Sequence, residues 1–244
     1  MTGSSSNTGT AARRSFAQRV ARRLFVRGLP PRVGHVAWGD LGRMAPLSRR
    51  FGYDRGGPVD RYYIEQFLAT YQADVRGSVL EVKDAGYTER FGGDRVTRSE
   101  VLDINRENPH ATLILDLNDA SALPSDAFDC IILTQTLQYV FDLPPVLAHL
   151  HRSLKAGGVL LLTVPAITPV RTRDMTWYWS FTDLSVAKLL EADFPGRADI
   201  VAFGNLRSAT AFLYGIGMTE LKSSDLDHAD PDYQLIVAAR AVKA

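Results

Sequence analysis

Between Asp126 and Pro165 two apolar runs bracket an amphipathic helix without a gap, and few folds can accept that order. Phe128 to Leu133 and Val159 to Val164 have the length and composition of buried strands. Pro144 and Pro145 open the segment between them, and Leu147, Leu150 and Leu154 follow at three- and four-residue steps, the period of one buried helix face. Lys155-Ala156-Gly157-Gly158 supplies a tight turn before the second strand. Strand, helix and strand in this order predict a parallel pair joined by a crossover.

The same alternation extends over the rest of the chain. Ser78 to Val82 reads as a first strand, Lys83 to Tyr87 as a loop and Thr88 to Phe91 as a helical turn. Arg95 to Ile104 and Ala111 to Leu117 are the second and third strands, and the opening pair are the fourth and fifth. Thr182 to Phe194 reads as a helix. Asp199 to Phe203 and Gln234 to Ala241 are late strands, the last an edge or antiparallel one after the acidic turn Asp225 to Asp232. This is an α/β chain with a doubly wound, mostly parallel sheet.

Length and composition limit the alternatives. The chain has 244 residues, 45% hydrophobic and 23% charged, enough for a sizeable core in one domain with extensions. No apolar run approaches the roughly 18 to 20 residues needed to span a bilayer, so no transmembrane segment is expected. The single cysteine, Cys130, sits within an apolar strand, which excludes an internal disulfide and predicts core packing in a reducing, cytoplasmic setting.

Charge is distributed unevenly. Residues 1 to 50 carry ten arginines and one acid, Asp40, whereas the remainder carries 18 basic and 26 acidic side chains. Residues 1–12, rich in Ser, Thr, Gly and Ala, are expected to be a disordered tail. Residues 13–75 are expected to form a basic helical extension and cap, and 76–244 the α/β domain. In the extension, Phe16, Val20 and Leu24 lie four apart beside an arginine face. Such a helix can dock on the acidic body, meet an anionic partner or membrane surface, or act as an organelle transit peptide. Nucleic acid is not expected as a substrate, because the body is acidic and the basic stripe is confined to the first 50 residues.

Over roughly Gly77 to Lys243 the chain resembles class I S-adenosylmethionine (SAM)-dependent methyltransferases. The resemblance rests on Val79-Leu80-Glu81-Val82, Asp116-Leu117 followed by Ala122-Leu123-Pro124, Ala127-Phe128-Asp129-Cys130-Ile131-Ile132 and Leu154-Lys155-Ala156-Gly157-Gly158, in that order. It looks most like the small-molecule branch called type 11. The resemblance implies a seven-stranded sheet, SAM as cofactor at the carboxyl ends of the first strands, and a small-molecule acceptor with a hydroxyl or amine, such as a secondary metabolite or sugar. One feature departs from the pattern: Lys83, Ala85 and Tyr87 stand where the family's cofactor loop usually has glycines, and only Gly86 remains. That leaves two alternatives, a methyltransferase-like protein that binds SAM or a partner without methyl transfer, and an enzyme of the same fold that uses bound SAM in another reaction.

Site candidates follow residue by residue. Glu81 closes the first strand. Lys83 can meet the cofactor's carboxylate and Asp84 its ammonium, or both can form a solvated turn. Glu100 and Asp103 are candidates for the carboxylate that accepts from the ribose diol, with Asp103 preferred. Asp116 and Leu117 resemble the adenine-binding pair, although a strand-end acid can also cap the next helix. Thr134 and Gln135 lie beside the methionine part. Upstream, Arg55, Arg61 and Tyr62 can reach over the crevice from a helix that opens near Pro58 and Asp60. Gln138, Tyr139, Arg171, Trp177, Tyr178 and Trp179 offer a polar and aromatic wall for the acceptor. Asn205 to Met218 is either a helix over that wall or a homodimer contact. No His, Asp or Glu stands out as a general base, and no metal site is expected.

Overall fold

The computed structural model describes residues 30–170 and 176–244. The chain divides into two compact units, Met1–Arg43 and Met44–Ala244. In the first, the described residues hold a short 3-10 helix, Gly39–Gly42. The expected disordered tail and the helix carrying Phe16, Val20 and Leu24 lie outside the described residues, as does Arg171.

The second unit is built on a seven-stranded sheet. Its strands are β1 (Gly77–Val82), β2 (Val96–Asp103), β3 (Leu113–Ile114), β4 (Phe128–Thr134), β5 (Leu154–Pro165), β6 (Ala198–Phe203) and β7 (Ile236–Val242). They lie in the order β3-β2-β1-β4-β5-β7-β6. The first five are parallel. β7 runs antiparallel between β5 and β6, so the last strand is antiparallel but interior, and β6 is the edge. The third strand, expected over Ala111 to Leu117, keeps only two ladder residues, because Asp116 starts a capped turn.

Period-two alternation divides the core between the two sheet faces. Leu80, Ile131, Leu133, Leu160 and Leu162 pack on one side with α2 (Leu143–Ser153) and α3 (Asp183–Leu190). Val79, Cys130, Ile132 and Leu161 pack on the other with α1 (Val59–Thr70) and α4 (Leu206–Tyr214). A last short helix, α5, spans Ser223–Leu226. α2 buries Val146, Leu147 and Leu150 as its spacing predicts. Cys130 is fully buried, and burial pushes its thiol well above the ordinary range, as expected of a packing residue. The glycine turn before the fifth strand is a bulged start of β5, with Gly157 at φ +74°.

The boundary expected at 75/76 falls inside the second unit. α1 buries Val59, Tyr63, Ile64, Phe67 and Leu68 against the sheet. Tyr63 donates to the Leu226 carbonyl at 2.9 Å, and the stem of β7 is tied to the same region by Arg240, which holds Asp74 through two hydrogen bonds. α4 covers that face too, its Phe212 stacked 5.8 Å from Phe51. Among the described residues no helix is long and apolar enough to cross a membrane.

Replacing Phe67 with alanine is expected to cost about 3–5 kcal/mol, as for a fully buried aromatic that leaves a cavity. Urea denaturation measures it; a cost below about 1 kcal/mol would mean that α1 is peripheral to the folded unit.

Candidate functional site

In an open parallel sheet the crevice forms where neighbouring crossovers leave in opposite directions. Here that point is between β1 and β4: the chain winds outward from β1 to β2 and β3, then returns to the other side of β1. A cavity of about 1290 Å³ opens at the carboxyl ends of these strands. α1 and the segment before it form its upper wall, and residues 176–178 its far side.

Most sequence candidates meet there. Arg61, Glu81, Lys83, Asp84, Asp103, Asp116, Leu117, Thr134, Gln135, Gln138, Tyr139, Trp177 and Tyr178 all line the cavity. Four candidates stand elsewhere. Tyr62 turns outward and donates to Asp227 at 2.5 Å. Glu100 faces Arg98 at 2.5 Å and takes a hydrogen bond from Thr112, leaving Asp103 as the crevice acid of β2. Trp179 donates its indole N–H to the Val140 carbonyl and stacks on Phe141 beside the opening. Arg55 is also withdrawn, held by a two-pronged pair to Glu220 at 2.9 and 2.6 Å.

The loop after β1 is organised by Glu81 rather than by glycines. Its buried carboxylate accepts from the Tyr87 N–H at 3.1 Å, the Thr88 N–H at 2.7 Å and the Thr88 hydroxyl at 2.7 Å. Burial pushes the Glu81 carboxyl up to about 7, against the lowering effect of those donors. The residue that takes the left-handed turn is Lys83, at φ +81°. Its N–H donates to Leu102 at 2.8 Å and its carbonyl accepts from the Asn108 amide at 2.6 Å. Gly86 is not left-handed; its N–H is held by the Asp84 carboxylate at 3.0 Å. Asp84 thus holds the turn through Oδ1 while it lines the crevice.

The strand-end acids are held but not saturated. Asp103 accepts from the Asn105 N–H through Oδ1 at 2.9 Å and from the Asn108 amide through Oδ2 at 2.6 Å. A carboxylate has about four acceptor positions, so two remain. Asp116 uses Oδ1 for both donors of Asn118, at 2.9 and 2.8 Å, capping the turn it starts while it lines the crevice.

On the β4 side, Gln135 is left-handed at φ +49°, with its N–H on the Thr163 carbonyl. Its strained backbone presents a carbonyl to the Gln138 amide at 2.8 Å. Gln138 is 1% exposed, and its Oε1 has no hydrogen-bond partner. Tyr139 and Trp177 meet edge to face, 5.4 Å apart.

The sequence matches the family described as a methyltransferase domain over residues 41–193. The chain belongs to this methyltransferase family. A malonyl-[acyl-carrier protein] O-methyltransferase of Serratia marcescens is 27% identical in an alignment 142 residues long that covers 54% of this chain and 55% of that one. The match thus spans about half of that relative's length. Among solved structures, a SAM-dependent methyltransferase from Archaeoglobus fulgidus superposes with a TM-score of 0.50 at 16% identity, over 75% of this chain and 94% of its own. An S-adenosylmethionine-dependent methyltransferase from Mesorhizobium loti gives 0.50 at 13%, over 77% and 99%. At these identities the structural likeness is one of fold.

Among the lining residues that were not sequence candidates for binding are Asp60, Tyr53 and Tyr87. Asp60 is 8% exposed with Oδ1 unpartnered. A signal for it existed. Asp60 falls three and four residues before Tyr63 and Ile64, on the apolar stripe of its helix. Asn108, which joins the Lys83 loop to Asp103, left no such signal.

Glu81 makes stability in this family member depend on pH. Its folded value of about 7 exceeds the ordinary 4.5, so the folded chain holds a proton that the unfolded chain releases in between. This contribution is fully present below about pH 4.5, declines as pH rises towards 7 and is flat above, with a span of order 3 kcal/mol. Glu81→Gln is expected to flatten that segment of the profile in denaturation series between about pH 5 and pH 8; an unchanged slope would assign it to other groups.

Proposed function

We propose that the chain binds SAM in the switch-point crevice and transfers its methyl group to a hydroxyl or amine of a small molecule. The observation that carries this reading is the pair of strand-end carboxylates, Asp103 and Asp116, each in the crevice with acceptor positions unfilled. Asp103 has the capacity to take both hydroxyls of a ribose diol. Asp116 Oδ2 suits an exocyclic amine, and the following Leu117 offers apolar surface beside it. The donor set fits the group: acids at Asp103 and Asp116 and cations at Arg61 and Lys83 match a ligand that has a diol, an amine and a carboxylate.

The volume also supports a second ligand. Single small-molecule sites usually occupy about 300–1,000 Å³, and this cavity has about 1290 Å³. Bound SAM supplies an electrophilic methyl carbon, so the protein's task is alignment. Glu81 fixes the loop under the methionine part. Gln138 Oε1, buried and unpartnered, can accept from the nucleophile's O–H or N–H and aim its lone pair. Tyr139, Trp177 and Tyr178 form a wall on which a sugar or planar ring can rest.

A reading without methyl transfer has one point in its favour, the glycine-poor loop. Lys83 supplies the left-handed position that a glycine would usually take, which weakens that argument. Calorimetry with S-adenosylhomocysteine is the first test. Asp103→Ala is expected to weaken binding about ten-fold or more, and Glu100→Ala to leave it within about two-fold. No binding to the unaltered protein, or equal effects of the two substitutions, would count against the reading. An acceptor screen for a gain of about 14 mass units then separates transfer from binding alone.

A further inference from the structure

The first unit, Met1–Arg43, is both cationic and apolar, and none of its described residues, 30–43, is buried. Residues 30–40 are exposed throughout: Val33 completely, Val36 by 53% and Trp38 by 65%. Two turns hold this stretch. The His35 N–H donates to the Arg32 carbonyl at 2.9 Å, and the Leu41 N–H to the Trp38 carbonyl at 3.0 Å. Exposed arginines flank it, Arg32 and Arg43. Upstream, outside the described residues, the sequence repeats the combination. Phe16, Val20 and Leu24 recur every four residues, and on a helix Arg19 and Arg22 fall on the other side. The whole unit carries eight arginines against one acid, Asp40. Methyl transfer accounts for none of this: no residue of 30–43 lines the crevice, and the family match begins only at residue 41.

We propose that residues 13–43 are a peripheral anchor for an anionic phospholipid surface. Trp38, its neighbours Val33 and Val36, and the Phe16 stripe enter the headgroup boundary, while the arginines meet lipid phosphates. The pairing of side-chain types decides the partner. A nucleic-acid backbone calls for the arginines alone and offers the exposed Trp and Val side chains nothing to enter. A bilayer interface takes both: an indole rests at headgroup level, aliphatic side chains reach below it, and guanidinium groups bind phosphate in two-pronged fashion. Neither half holds a chain strongly alone, but each basic side chain near an anionic leaflet strengthens association by about five-fold. The contact is one of surface adsorption, since among the described residues no helix is long and apolar enough to cross a membrane. The methyltransferase domain, joined to this unit in one chain, is brought to the same surface. This inference is independent of the SAM reading.

The test is co-sedimentation of the full chain with vesicles of phosphatidylcholine alone and of equal parts phosphatidylcholine and phosphatidylglycerol. The chain is expected to bind the mixed vesicles about ten-fold or more tightly than the neutral ones, and to leave them as salt screens the arginines. Replacing Arg19 and Arg22 together with alanine is expected to weaken binding to the mixed vesicles about ten-fold or more. Trp38→Ala is expected to weaken it about five-fold or more and to remove a vesicle-induced shift of tryptophan emission to shorter wavelength. Thermal melts establish that both variants keep the folded unit. Equal binding to the two vesicle types, or binding to neither, overturns the proposal. Unchanged binding by Trp38→Ala also overturns it, because the contact is then electrostatic only. So does tighter binding to a short DNA duplex or to polyglutamate than to the mixed vesicles, which assigns the unit to an anionic macromolecule instead.

Discussion

Everything in the second unit follows from the position of β1, held between β2 on one side and β4 on the other. Parallel strands need crossovers, and crossovers of one hand on opposite sides of β1 must leave its carboxyl end uncovered. The register makes this quantitative: Glu81 pairs with both Val101 and Ile132, so the last turns of three strands reach the crevice at one level. Asp103 and Thr134 follow directly from that level. Asp103 and Thr134 thus become neighbours through hydrogen-bonded backbone rather than through contact between their side chains.

Given that frame, the loop after β1 shows how a chain can do without a glycine-rich turn. The usual advantage of glycine is a left-handed residue at no steric cost. Here Lys83 takes the left-handed position, and the cost is offset by two hydrogen bonds, from its N–H to the Leu102 carbonyl and to its carbonyl from the Asn108 side-chain amide. Glu81 then gathers the next N–H groups, so the turn at Thr88 starts with its donors satisfied. Side chains replace conformational freedom as the organising element. A loop held in this way presents charge to the crevice as well as backbone, since Lys83 lines it.

The fold was legible because it rests on periodicity. Alternating Val79, Leu80 and Ile131, Ile132 point to opposite faces, and the three- and four-residue leucine steps of α2 are buried as they predict. The failures have physical causes. β3 shortens because Asp116 and Asn118 compete for the backbone with a capped turn. β7 enters the interior because pairing with both β5 and β6 is a long-range choice that no local pattern encodes. In the site, Asp103 was readable from its place at a strand end, whereas Tyr62 and Tyr63, adjacent in sequence, differ only in which side of α1 they face. Asn108 was unreadable, since its role depends on a loop that returns across two strands.

α1 is the element in which stability and binding meet. Its stripe of Val59, Tyr63, Ile64, Phe67 and Leu68 is fully committed to the core, and the same stripe continues into Asp60 at the crevice. A helix fixed by that much apolar contact cannot rotate to give Asp60 water without exposing Tyr63 and Ile64. The burial that stabilises the helix therefore keeps the acid dry, and desolvation raises its carboxyl above the ordinary range. By the same reasoning the unpartnered oxygen is a cost that the apolar stripe must carry. Ligand binding at this end of the crevice should then stabilise the whole unit through α1 rather than merely order a surface loop.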